Sequence, residues 1–126
     1  MPAAFQLVLL DSVAAVAPEH AGSAIITGSH GGLSAAAYAA QVPARLYVFN
    51  DAGVGKGEAG VAGLALLDAQ GQAAVAVAHT SARIGEAGDT LACGVISRVN
   101  RAAAALGLRV GEPLRPTLAR LGADPG

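Results

Sequence analysis

Short apolar runs recur along the chain, and each one ends in polar residues, with glycines after the second and third runs. The runs show no alternation of polar and apolar residues. Unbroken aliphatic runs of this length are typical of strands that are buried on both faces of a parallel sheet. We therefore predict strands over residues 5–10, 24–27, 45–49 and 73–78.

Helical segments are predicted between and after these strands. Residues 33–41 follow two glycines and stop before Pro43, and residues 59–70 end at Gly71, which suits a left-handed cap. A longer helix is predicted from Asp89 or Thr90 to Leu106, and a short one over 117–121. Residues 13–16 fit either a short strand or a helical turn.

Alternating strands and helices indicate βαβ units with right-handed crossovers. We predict an α/β fold: a three-layer (αβα) single domain over residues 1–126, with a mostly parallel, Rossmann-like sheet of four to five strands. The length of 126 residues suits one domain. Residues 123–126 are predicted to form a disordered tail.

The composition narrows the classes of partner. Charged residues make up 13% and hydrophobic residues 53%, so we expect Ala-rich faces to be buried in a homo-oligomer. A net charge of −1 without a basic stripe argues against nucleic-acid binding. The apolar runs are too short to span a membrane, and the N-terminal residues do not resemble a signal peptide. We therefore expect a cytoplasmic location.

The first polar cluster follows the second predicted strand. Ser29 and His30 stand between Gly28 and the pair Gly31-Gly32. Ser29 can act as nucleophile or hydrogen-bond donor and His30 as acid–base, while the N–H groups of the glycine pair can stabilise an oxyanion. The alternative is a tight turn between strand and helix with a capping serine.

The second cluster follows the third predicted strand. Asp51 can orient a histidine, bind a metal or act as a base, and Lys56 can hold a substrate anion or be a solvated loop residue. The phosphate-loop pattern fails because Asn50 and Gly57 occupy two of its required positions. Residues 55–60 match G-x-G-x-x-G, but they begin several residues past the strand, so no nicotinamide or flavin cofactor is predicted.

The third cluster follows the fourth predicted strand and contains His79, Ser81 and Arg83. His79 can be a second acid–base group, and Arg83 can bind a carboxylate or pair with acidic neighbours at the surface. The glycine-containing loop 84–88 can move over the site. Cys93 is interpreted as a packing residue rather than a nucleophile.

These clusters predict a small-molecule enzyme, a hydrolase or carbonyl acid–base catalyst, that acts on a small anionic metabolite containing a carboxylate or amide. The predicted catalytic residues are Ser29, His30, Asp51 and His79. The predicted substrate-binding residues are Asp11, Gly31, Gly32, Asn50, Lys56, Ser81 and Arg83.

No cofactor is predicted, although His30, Asp51 and His79 would be a plausible ligand set for a divalent metal. The main alternative is a ligand-binding or regulatory domain, or a small subunit of a larger enzyme, that binds a nucleotide or carboxylate. A structural assembly subunit would explain the Ala-rich composition but not the polar clusters.

Overall fold

The computed structural model describes residues 5–53 and 61–124, in which strands and helices alternate. The strands are β1 (Phe5–Leu10), β2 (Ala24–His30), β3 (Leu46–Asn50), β4 (Ala74–Val77), β5 (Ile96–Val99) and β6 (Ala123–Asp124). The helices are α1 (Leu33–Ala39), α2 (Ala62–Asp68), α3 (Ala87–Cys93), α4 (Arg101–Ala105) and α5 (Leu114–Arg120).

These strands form one sheet in the order β5-β4-β3-β2-β1-β6. The strands β1 to β4 pair in parallel, as the aliphatic runs predict, whereas β5 pairs with β4 in the antiparallel direction. The two-residue strand β6 extends the sheet beside β1. The α/β class is thus confirmed, and the sheet is mixed rather than purely parallel.

The predicted long helix from Asp89 or Thr90 to Leu106 is wrong, because β5 interrupts it. The helix α3 ends at Cys93, and Gly94 has the extended backbone that leads into β5. A Cβ atom on Gly94 would lie only 2.8 Å from Cγ1 of Val77, so glycine allows the chain to pass close to β4 here. The helix α4 begins after Asn100, whose side chain accepts a hydrogen bond from the backbone N–H of Ala103.

Two further segments differ from, or refine, the sequence prediction. Residues 13–16, which fitted either a strand or a turn, contain a 3-10 helix over Val13–Ala15, capped by the hydroxyl group of Ser12. At the C-terminal end, the backbone of Ala123 and Asp124 pairs with β1 instead of belonging to a disordered tail. Residues 125–126 lie outside the described part of the chain.

Alternate residues of the strands contribute to two separate buried clusters. One contains Ile25, Tyr47 and Phe49 together with residues of α1 and α2. The other contains Ile26 and Val48 together with residues of α4 and α5. Burial on both faces explains why these strands carry no polar alternation. Within residues 5–53 and 61–124, no helix is both long enough and apolar enough to cross a membrane.

Candidate functional site

The ends of β3 and β4 bring Asp51 and His79 into contact at the carboxyl edge of the sheet. Asp51 follows β3 directly, and its backbone N–H donates to the carbonyl of Val77 in β4 over 2.8 Å. This bond aligns the two strand ends. The carboxylate Oδ1 of Asp51 then lies 3.2 Å from Nδ1 of His79.

The carboxyl group of Asp51 is held by the protein on both of its oxygens. Oδ1 accepts hydrogen bonds from the backbone N–H groups of Gly53 and His79, and Oδ2 accepts one from the Ser97 hydroxyl group. Burial alone would raise the pKa of this carboxyl group, but these hydrogen bonds outweigh it and hold the pKa below the ordinary value of 3.8. Asp51 is therefore a charged, fixed acceptor.

Ser97 reaches Asp51 because β5 is irregular at this point. Val77 of β4 pairs with Ile96 and Ala76 pairs with Arg98, which leaves Ser97 as an extra residue between the two pairs. A bulge of this kind redirects a side chain. Its hydroxyl group donates to Oδ2 of Asp51 over 2.7 Å. Ser97 was not among the predicted site residues, because the sequence of this segment predicts a helix.

The contact with Asp51 orients the imidazole ring of His79. An ionised carboxylate can only accept hydrogen bonds, so Nδ1 of neutral His79 must carry the proton that it donates to Oδ1. The other ring nitrogen, Nε2, is then left without a proton. The side chain of His79 is 54% exposed, so the ring is open to solvent on part of its surface. The pair can thus accept and return a proton.

A tight turn at Ala52 and Gly53 lies beside this pair. Both residues have left-handed backbone conformations, with φ of +52° at Ala52 and +75° at Gly53. The conformation is unusual for alanine and is strained. Two side chains hold the turn: Asn50 accepts from the N–H of Ala52, and Asp51 accepts from the N–H of Gly53.

Asn50, predicted to bind substrate, is part of the framework. Its side chain is fully buried, and its amide group donates to the carbonyl of Ala82 over 2.9 Å. Because its oxygen accepts from Ala52, both ends of the side chain are used within the protein. Asn50 therefore positions the turn beside Asp51 and the loop after β4.

Ser29 and His30 end β2, where His30 pairs with Asn50 of β3. They line a shallow depression of about 160 Å³, together with Ser12, Ser34 and Tyr38. The hydroxyl oxygen of Ser29 accepts from the backbone N–H of Val13 over 2.9 Å. Within the described residues, neither Ser29 nor His30 has a recorded side-chain contact with Asp51 or His79. Of the four predicted catalytic residues, the structure therefore shows Asp51 and His79 in direct contact.

Close packing explains Gly28, the glycine that precedes Ser29 and His30. A Cβ atom on Gly28 would overlap the backbone nitrogen of Glu86 and lie 2.5 Å from the carbonyl carbon of Gly85. The loop predicted to move over the site is thus packed against β2, where the N–H of Gly85 donates to the carbonyl of Gly28. The N–H of Gly31 donates to the carbonyl of Asn50, so it is not available to an oxyanion as predicted.

Gly32 and Gly63 meet at a second close contact. A Cβ atom on Gly63 would overlap the carbonyl oxygen of Gly32, and the N–H of Gly63 donates to the carbonyl of Gly31. The helix α1 that follows Gly32 has only seven residues. The glycine at position 63 thus allows α2 to pack closely against the start of α1.

Three of the other predicted substrate-binding residues have structural partners. Asp11 accepts from the N–H of Ala87 at the start of α3, and Ser81 donates to Ala78 while accepting from Val95. Arg83 is exposed and lies 3.9 Å from Glu86, the surface pairing that the sequence also allowed. The fourth, Lys56, lies outside the described residues, as does the G-x-G-x-x-G match at 55–60.

The metal and nucleophile alternatives find no geometric support. Within residues 5–53 and 61–124, no group of three or more His, Cys, Asp or Glu side chains is arranged to hold a metal ion. The set of His30, Asp51 and His79 is therefore not assembled. Cys93 is the last residue of α3, where the hydrogen bond and negative charge of Asp89 raise the pKa of its thiol. A raised pKa makes that thiol a poor nucleophile.

Comparison of the chain with protein-family models, curated proteins and solved structures found no match.

Proposed function

We propose that this domain is a small cytoplasmic enzyme that uses His79 as its acid–base group. The reaction we favour is hydrolysis of a carbonyl compound, an amide or ester, in a small metabolite that carries a carboxylate. The observation that supports this proposal is the contact of Asp51 with His79, made at the carboxyl edge of the sheet. In open α/β sheets, ligands bind at this edge.

The proposed chemistry follows from the state of the His79 ring. Nε2 takes a proton from a water molecule while the water oxygen attacks the carbonyl carbon. The resulting imidazolium is stabilised by the negative charge of Asp51, and Ser97 and the turn hold that carboxylate in position. The bond to the leaving oxygen or nitrogen then breaks, and the same Nε2 returns the proton to it.

The proposal assigns different roles to the residues at this edge. His79 touches the reacting water and is the catalytic residue, and Asp51 stabilises its charged form. Ser97 and Asn50 are positioning residues, because they act through Asp51 and the turn. Ser29 and His30 are not needed for the proton transfer.

Two further parts of the proposal concern the arrangement of the chain. We take the sheet to be the middle layer of an αβα arrangement, because helical residues contribute to the buried clusters on both of its faces. We also propose a homo-oligomer that covers the exposed apolar residues on the outer surfaces of α1 and α2. Leu33 is 61% exposed and Leu66 is 44% exposed, and such side chains favour an interface.

The proposal is tested by a hydrolysis screen of small esters and amides that carry a carboxylate. We expect wild-type protein to release product from at least one compound and His79→Gln to lose about 100-fold or more of that rate. Asp51→Asn should lose a similar factor, because it removes the charge beside the imidazolium. His20→Gln is the matched control, since His20 is a histidine in the 3-10 helix Pro18–His20.

The same variants give a result that overturns the proposal. If His79→Gln retains the wild-type rate on the active compound, His79 is not the acid–base group. If no compound is hydrolysed while one of them binds, the domain is a ligand-binding module, as the alternative from the sequence holds.

A further inference from the structure

The depression around His30 is lined by hydrogen-bond donor groups that have no acceptor within the described part of the protein. Ser12 and Ser29 use their hydroxyl oxygens to accept from the backbone N–H groups of Ala14 and Val13. Within the described residues, neither hydroxyl group donates to a protein acceptor. In contrast, the hydroxyl groups of Ser81 and Ser97 donate to protein oxygens.

Three more potential donors line the same depression: Ser34, His30 and Tyr38. In the described part of the chain, none of these side chains has a recorded hydrogen bond, and Tyr38 is 43% exposed. The donors come from three separate elements, because Ser12 precedes the 3-10 helix Val13–Ala15, Ser29 and His30 end β2, and Ser34 and Tyr38 belong to α1. The fold thus gathers them at one place.

Among the residues that the structure describes, no carboxylate lines this depression. The nearest acidic residue in sequence, Asp11, has its Oδ1 bound to the N–H of Ala87 at the start of α3. Among the described residues that line it, His30 alone has a side chain that can carry a positive charge. Several hydroxyl donors and a single cation suit a monoanion better than a dianion, because each donor contributes a neutral hydrogen bond.

We propose that the depression around His30 binds the carboxylate group of a small molecule. This inference rests on the proposed function, because it assigns the carboxylate of that substrate to a definite place. Since β3 lies between β2 and β4, the ends of these two strands are two strand spacings apart, about 10 Å. The substrate class is therefore a small molecule whose carboxylate is separated from the reacting carbonyl group.

Binding is tested without turnover by titrating the isotopically labelled protein with acetate and following its backbone amide NMR signals. Acetamide is the matched probe, because it has the shape of acetate and no charge. We expect saturable shifts with acetate at Ser12, Ser29, His30 and Ser34, and none with acetamide. Inorganic phosphate should bind more weakly than acetate.

Two variants locate the binding. Ser34→Ala, which removes one exposed donor, should weaken acetate binding about fivefold. His30→Gln should weaken it further, because it removes the imidazole ring from the depression. His79→Gln is the control and should leave the affinity unchanged.

The outcomes separate this inference from the proposed function. The inference is overturned if acetate gives no saturable shift, or if its shifts persist unchanged in both the Ser34 and His30 variants. Tighter binding of phosphate than of acetate would overturn the carboxylate assignment. If acetate binds as expected but His79→Gln retains full hydrolysis, the proposed function fails while the binding site stands.

Discussion

The hydroxyl group of Ser97 donates a hydrogen bond of 2.7 Å to Oδ2 of Asp51, which joins the antiparallel edge strand to the pair at the centre of the proposed site. The other oxygen of the same carboxylate contacts His79. Ser97 occupies this position only because β5 bulges against β4. The edge strand therefore has a role in the site as well as in the sheet.

Replacing Ser97 by alanine should raise the pKa of the Asp51 carboxyl group. The hydrogen bond from Ser97 is the largest of the contributions that lower this pKa. Without it, the remaining hydrogen bonds offset less of the increase in pKa that burial causes. The pKa is measured by following the carboxyl carbon of Asp51 by NMR as the pH is lowered. Ser34→Ala is the control, and an identical Asp51 titration in Ser97→Ala and wild type would contradict the expectation.

The stability of the protein should fall in acid partly because of Asp51. Its pKa is lowered in the folded state, so its contribution is present above the unfolded-state value of 3.8 and is lost as the pH falls through the lower folded-state value. At neutral pH, Asp51→Ala should reduce the free energy of unfolding by about 1–3 kcal/mol, because it leaves donors without their acceptor. Urea unfolding between pH 7 and pH 3 measures both effects.

The difference between Asp51→Ala and wild type should therefore narrow towards the acid end of that series. A difference that stays constant, or that grows as the pH falls, would show that the charged form of Asp51 is not the stabilising form.

Gly28 and Gly88 offer a matched pair of substitutions by alanine. Gly28→Ala forces a methyl group onto the backbone of Gly85 and Glu86 and should destabilise the protein by about 1–3 kcal/mol. Gly88 lies within α3, and a Cβ atom there would meet nothing within 4 Å. Gly88→Ala should therefore stabilise the protein by up to about 1 kcal/mol.

Thermal unfolding of the two variants measures these changes. Equal effects of the two substitutions would mean that the loop after β4 moves aside freely, as the sequence analysis predicted for residues 84–88.

The contact of Asp51 with a histidine could be predicted from the sequence because its signal is local. Asp51 and His79 each follow a largely apolar strand, and parallel strands place their carboxyl ends at one edge. That is sufficient to predict that Asp51 can orient a histidine. It does not identify which histidine, because His30 also follows such a strand and the order of the strands is set by long-range pairing.

The parts that the sequence missed depend on contacts between distant residues. Ser97 was assigned to a helix, since alanines and leucines continue on both sides of Gly94 and mask the short strand between them. Asn50 and Ser81 looked available at strand ends, yet their side chains are used by Ala82 and Val95. A polar side chain near a site can bind substrate or hydrogen-bond to the protein backbone, and only the tertiary structure distinguishes these two roles.

The buried phenol of Tyr47 provides a prediction about alkaline pH. Its side chain is fully buried and donates to the carbonyl of Val42 over 2.7 Å, and burial raises its pKa from 10.0 to about 12. Because the neutral form is favoured in the folded state, the contribution of Tyr47 to stability is present below pH 10 and is lost as the pH rises towards 12.

A Tyr38→Phe variant leaves Tyr47 as the only tyrosine, so that its ionisation can be followed by ultraviolet absorbance. We expect the phenolate signal to appear near pH 12, and an ionisation near pH 10 in the folded protein would contradict the prediction. Tyr47→Phe should cost about 1 kcal/mol at neutral pH through the lost hydrogen bond. At high pH, the free energy of unfolding of Tyr47→Phe should fall less steeply than that of wild type, because phenylalanine has no proton to lose.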